Sequence, residues 1–175
     1  MVTRVGAVVA LVVIGLVPSG AMAQAPRAGA APATQKRVQA VRIPNGRITV
    51  DGKIDEAEWQ QAVPADDFIQ MQPREGAPVT SQHTSEVRFL YDDNNLYIGG
   101  TLHEDEMQRV ITGDLRRDFP GARDGDLYIV NLDTFYDKLN AYNFQTNPGC
   151  AQRDSQSYDD GRTVNANWDT VWQCR

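Results

Sequence analysis

The sequence predicts an all-β domain, an antiparallel, jelly-roll-like β-sandwich with one short helix, and three observations carry that prediction. From Ser85 to Tyr91 residues alternate, with Val87, Phe89 and Tyr91 on one side and Glu86 and Arg88 on the other, which is the period of a strand with one buried face. Asp92-Asp93-Asn94-Asn95 then supplies a turn, and Leu96 to Leu102 returns as the partner strand. The arrangement recurs farther on: Asp126 to Asp133 carries Tyr128, Val130 and Leu132 on one side, Thr134 to Asn140 connects, and Ala141 to Thr146 returns with Tyr142 and Phe144.

The elements follow in chain order. One basic residue, Arg4, precedes a thirteen-residue apolar run, Val5 to Val17, and then Ala21-Met22-Ala23, the pattern of a secretory leader cleaved after Ala23. Crossing a bilayer takes roughly twenty apolar residues, so residues 1–23 are expected to be removed rather than to anchor the chain. Residues 24–37 are rich in Ala, Pro, Gly and Gln and read as a flexible tether. The folded domain is expected over 38–175, a length that suits one core. Ile48-Thr49-Val50 reads as a short strand and Asp51-Gly52 as a turn. Asp55 is expected to cap a short helix with Glu58 at the reciprocal capping-box position, Pro64 to end it, and Trp59 to anchor the core. Phe68 to Gln72 is a further candidate strand. Ser155 to Asn167 is polar and unpatterned, which reads as a surface loop, and Trp168 to Trp172 reads as a last strand with both tryptophans on one side.

The 17 basic and 23 acidic side chains leave a net charge of -6. That balance opposes nucleic-acid binding, which needs a basic surface. Cys150 and Cys174 lie on the exported side, where disulfides persist. The sequence leaves open whether they are bridged or are two buried thiols. Asp133, Asp137 and Asn140 bracket one connection and offer hard oxygen ligands to calcium, with Asp124 and Asp126 as further candidates; the same residues also suit a solvated turn capped by aspartates. A glycosidase pair such as Glu86 with Asp126 has no spacing to recommend it among 23 acids. His83 and His103 lack any Ser, Cys or HExxH motif beside them. No catalytic residue is assigned.

Three segments, Ile48-Thr-Val-Asp-Gly-Lys-Ile-Asp-Glu-Ala-Glu-Trp59, Phe89-Leu-Tyr-Asp-Asp-Asn-Asn-Leu-Tyr-Ile98 and Asp124-Gly-Asp-Leu-Tyr-Ile-Val-Asn-Leu-Asp133, together resemble the family-9 carbohydrate-binding module along residues 48–174. The run from Asp133 to Phe144, Asn147-Pro148-Gly149 and Asn167 to Trp172 are similar to a subgroup in which this module heads a large exported protein with an outer-membrane β-barrel. The resemblance implies a non-catalytic domain of the periplasm or outer membrane, linked to carbohydrate catabolism, that binds a sugar or polysaccharide end. It also implies a structural calcium and final strands beyond those present here, so the sandwich is expected to be incomplete. Any hydrolase activity would belong to an attached domain. Carried onto this chain, it points to Arg117 and Asp118 for hydroxyl contacts, Tyr142 and Trp168 for stacking on the apolar face of a pyranose, and Asn147 as a further polar contact. The competing expectation is a structural or interaction domain of an outer-membrane protein with all three tryptophans buried and no sugar site.

Overall fold

Residues 37–120 and 125–175 are described by a computed structural model. The expected leader, nearly all of the tether, and Asp124 lie outside the described residues. The strands are β1 (Val41–Arg42), β2 (Ser85–Tyr91), β3 (Leu96–Leu102), β4 (Tyr128–Leu132), β5 (Ala141–Thr146), β6 (Gln152–Tyr158) and β7 (Thr163–Asn165). They form two sheets, ordered β1-β2-β3 and β4-β5-β6-β7. Helical structure among the described residues is confined to single 3-10 turns at Ala57–Gln61, Ser81–His83 and Met107–Arg109. The chain is therefore an all-β sandwich, as the alternation predicts. One pairing departs from the antiparallel expectation, since β1 runs parallel to β2.

The β2–β3 hairpin has the predicted bounds, and its turn is built on Asp92. That residue is 7% exposed, and its Oδ1 accepts from the backbone amides of Asn94 and Asn95, each at 2.8 Å, while its Oδ2 accepts from the Tyr97 hydroxyl at 2.9 Å. These donors, the Asn94 amide foremost, hold the carboxyl below the usual carboxylate range.

The expected single buried face of β2 needs correction, because the sheet is covered on both sides. Val87 is buried on one side, opposite Gly100, and a Cβ at Gly100 would lie 3.6 Å from the ring of Tyr128 on β4. This is where the two sheets meet, and burial there pushes the Tyr128 hydroxyl up to about 12. On the other side lie Leu90, fully buried, with Ile43, Trp59 and Ala62 packed around it and Val41, Ile48, Ile54 and Tyr97 at the margin. Tyr91 is half-exposed instead of buried. The one-sided reading fails because Ile43, just after β1, and Trp59 and Ala62 from the Ala57–Gln61 turn and its cap pack on the face that carries Leu90.

Trp59 is a core anchor, as expected, but its support differs. The helix is one 3-10 turn with Glu56 at its N-cap and no side-chain cap bond, so the Asp55–Glu58 capping box is not formed. Glu56 instead accepts the Thr49 amide at 2.8 Å and the Trp59 indole N–H at 2.9 Å, and Glu58 pairs with Arg47 at 2.7 Å. A buried indole needs a partner for its N–H, and Glu56 provides it while fixing residues 49 and 59 together. Ile48 to Val50 therefore runs beside this turn without joining a sheet. Phe68 to Gln72 likewise contributes only a single bridge, Ile69 with Pro78.

In the second sheet β4 and β5 pair as predicted, with Val130 opposite Phe144 and Leu132 opposite Tyr142. The polar stretch read as a loop instead forms β6 and β7. Phe144 faces Asp154, and Asn143 faces Ser155; Asn143 donates to the Ser155 hydroxyl at 3.2 Å, so even the polar side of this strand is satisfied. Residues 168–172 form no strand. They are an irregular strap laid against the face of β5 and β6 that carries Phe144 and Asp154.

The close approach of Trp59 to β3 makes a sharp test. A Cβ at Gly99 would fall 2.8 Å from the indole ring. Gly99→Ala is therefore expected to destabilise the fold by about 1–3 kcal/mol in urea denaturation, whereas Gly100→Ala, whose Cβ would make ordinary contact with Tyr128, should cost less.

Candidate functional site

The strap carries the strongest concentration of chemistry outside the cores, and it is held at several points along its length. Near its start, the Thr170 amide donates to Asp154 Oδ2 at 2.8 Å. Farther along, Gln152 Nε2 donates to the Trp172 carbonyl at 3.0 Å. At its end Cys174 is bridged to Cys150, with the Cα atoms 5.5 Å apart, which decides the pairing that the sequence leaves open. The Asn147-Pro148-Gly149 turn puts Cys150 just before β6, so the bridge lies beside the strand that receives the strap.

Asp154 is the electrostatic centre. Its side chain has no exposure, and it accepts from Arg117 Nη2 at 3.0 and 3.2 Å. Arg117 also pairs with Asp169 on the strap, donates to Gln152 Oε1 at 3.1 Å and to the Thr170 carbonyl at 3.2 Å, and lies 3.9 Å from Asp118. Burial works against the guanidinium charge, and the carboxylates of Asp169, Asp154 and Asp118 outweigh it, so the Arg117 pKa is raised. Asp118 and Asp169 are 57% and 71% exposed, so carboxylates rim the cluster on the solvent side.

Aromatic rings lie over the same face. Trp168 meets Tyr142 at 4.7 Å between centroids with a 31° tilt. Phe144 takes Trp168 and Trp172 edge-on at 6.1 and 5.5 Å. Tyr142, Trp168 and Trp172 are all partly exposed, in contrast to the buried Trp59.

Four of the five residues named for sugar contact thus share one region: Arg117 and Asp118 beside β6, and Tyr142 and Trp168 in one ring pair. Asn147 lies apart and is committed to the fold. It is 5% exposed, its Oδ1 accepts the Gly149 and Ala151 amides at 3.0 and 3.1 Å, and its Nδ2 donates to the Asp114 carbonyl at 2.7 Å. Sequence reasoning missed Asp154, Asp169 and Gln152. The pairing of Cys150 with Cys174 brings only the end of the strap to the start of β6, and no local pattern in the sequence marks these three residues.

The three residues named for calcium build a turn. Asp133 accepts the Asp137 and Lys138 amides at 3.2 and 2.8 Å, and Asp137 accepts the Leu139 and Asn140 amides and, at 2.6 Å, the Asn140 side chain. These donors, the Leu139 amide foremost, lower the Asp137 pKa. Among the described residues no three His, Cys, Asp or Glu side chains converge as a metal site. The further candidate Asp126 is 3% exposed and accepts the Ile111 amide at 2.9 Å. Glu86 bonds Arg88 at 3.1 Å, and His83 meets Glu104 at 3.3 Å.

Comparison with protein-family models, with curated proteins and with solved structures found no match. Among the described residues no helix is long and apolar enough to cross a membrane.

The clamp is expected to be worth several kcal/mol. Arg117→Ala strands the buried Asp154 carboxylate and should cost about 3 kcal/mol. Reducing the disulfide releases the 24-residue loop it closes and should cost roughly 3 kcal/mol. Thermal unfolding with and without reductant measures both; an unchanged Tm in both cases would contradict the docking of the strap.

Proposed function

We propose that this chain is a non-catalytic carbohydrate-binding module of an exported protein, serving carbohydrate catabolism by holding a sugar or polysaccharide end at the strap. The observation that carries this reading is the partly exposed Trp168–Tyr142 pair, with Asp169 next to Trp168 in the chain and joined through Arg117 to Asp118 and Asp154. A pyranose presents C–H groups on its faces and hydroxyls at its edge, so it calls for an aromatic surface beside polar groups that both donate and accept. Three carboxylates against one guanidinium also favour a neutral sugar over an acidic one. Calcium, where bound, would be structural and would belong to Asp133, Asp137 and Asn140 in the β4–β5 connection. The leader pattern supports export, and the resemblance implies a periplasmic or outer-membrane setting with a membrane β-barrel as the attached partner domain.

A second reading, a structural or interaction domain without a sugar site, is favoured by one specific observation. Arg117 and Asn147 spend their hydrogen bonds within the fold.

Isothermal titration with mono-, di- and oligosaccharides, first with calcium and then with chelator, separates the two readings. The binding-module reading expects saturable heat for at least one neutral glycan and a loss of at least ~10-fold in affinity for Trp168→Ala. A folded protein that gives no heat with any glycan would establish the structural reading instead.

A further inference from the structure

A second polar site lies on the other sheet, where β1 meets the β2–β3 turn. An open cleft of about 520 Å³ is lined there by Arg42, Ile43, Pro44, Asn45 and Asp93. Ile43, 2% exposed, forms an apolar floor. Above it Arg42 Nη2 pairs with Asp93 Oδ1. Asn45 Nδ2 donates to Asp93 Oδ2 at 3.2 Å, and Asn45 Oδ1 accepts the Asp93 amide at 3.1 Å. Tyr91, the register partner of Arg42, stands half-exposed beside them.

We infer that this cleft is a binding site for the vicinal hydroxyls of a neutral saccharide. Each hydroxyl of a diol both donates and accepts. Arg42 offers the donors, because its Nε and Nη1 groups make no hydrogen bond among the described residues. Asp93 offers the acceptors, since a carboxylate has about four lone-pair sites and accepts two side-chain bonds here. Asn45 holds Asp93 at two points, its Nδ2 on the carboxylate and its Oδ1 on the backbone amide, so the donor and acceptor stand preorganised for a rigid ligand. A uronate or phosphate would meet the carboxylate of Asp93, with Asp92 adjacent in sequence, and a like-charge approach is unfavourable.

The Arg42 bond and Coulomb attraction hold the Asp93 pKa down, so the acceptor stays ionised at neutral pH. Arg42 and Asp93 are 63% and 55% exposed, and an ion pair this exposed adds little to stability. The fold therefore does not require the pair, and Arg42 variants should fold. The choice of a saccharide as ligand rests on the carbohydrate reading above; the order of donor and acceptor in the cleft does not.

The test is a ¹H–¹⁵N titration of the chain with xylotriose, cellobiose and maltose, with galacturonic acid as the acidic comparison, following the Asn45 side-chain amide and the Arg42 Nε–H. Saturable shifts with at least one neutral sugar and none with galacturonate are expected. The Asn45 shift should persist in Trp168→Ala and weaken at least ~5-fold in Arg42→Ala, with Arg42→Lys, which keeps the charge but not the fork, weakened in the same sense. Cleft signals that stay still with all three neutral sugars, or an Asn45 response unchanged in both Arg42 variants, would overturn the inference. If the Trp168 indole signal moves while the cleft signals do not, the cleft falls and the carbohydrate reading stands; if neither moves, both fall.

Discussion

Asp154 carries a carboxylate with no solvent exposure in the middle of the second sheet. A charge removed from water is tolerable only when paired and hydrogen-bonded, and each group that satisfies this one comes from elsewhere in the chain. Arg117 arrives from the connection between the sheets, and the Thr170 amide arrives from the strap. Meeting that single requirement lays the strap across β6, sets Trp168 over Tyr142 and Trp172 against Phe144, and brings Cys174 to Cys150. The aromatic surface proposed to bind sugar is in this sense a consequence of one buried charge.

The first sheet uses acidic residues in the same way. Glu56 ties the Thr49 amide to the Trp59 indole, Asp92 builds the hairpin turn, and Asp51 accepts the Lys53 amide at 2.9 Å. These acidic residues belong to the two segments, the Val50 to Trp59 run and the Tyr91 to Ile98 run, on which the likeness to a carbohydrate-binding module chiefly rests. They act here by building turns and seating the core tryptophan. The likeness therefore speaks first to the architecture, while the proposed ligand contacts fall to other residues: Trp168 and Tyr142 at the strap, and Arg42 and Asp93 at the cleft.

How far the sequence was legible follows from where hydrophobic periodicity exists. The hairpin of β2 and β3, and β5, sit where alternation and turn residues place them. The strands β6 and β7 do not, because Gln152 to Ser157 is entirely polar, and its stability comes from backbone pairing, the Asn143–Ser155 bond and the Arg117 clamp rather than from an apolar face. The strap misleads in the opposite direction. Trp168 and Trp172 have the spacing of a strand, yet the segment is held by side chains and a disulfide instead of a ladder. Of the candidate site, Arg117, Asp118, Tyr142 and Trp168 were named through the resemblance. Asp154 was not, because one acid in a polar run gives no local sign that the fold will bury it.

The most direct test is hydrogen exchange at the Thr170 amide, followed residue by residue in the oxidised protein. Docking on Asp154 predicts that this amide exchanges as slowly as its neighbours in β6, and that Asp154→Ala accelerates it far more than it accelerates the β2–β3 hairpin. If Thr170 exchanges at the rate of an unstructured peptide while β5 and β6 remain protected, the strap is not held as described and the surface it forms does not exist in solution.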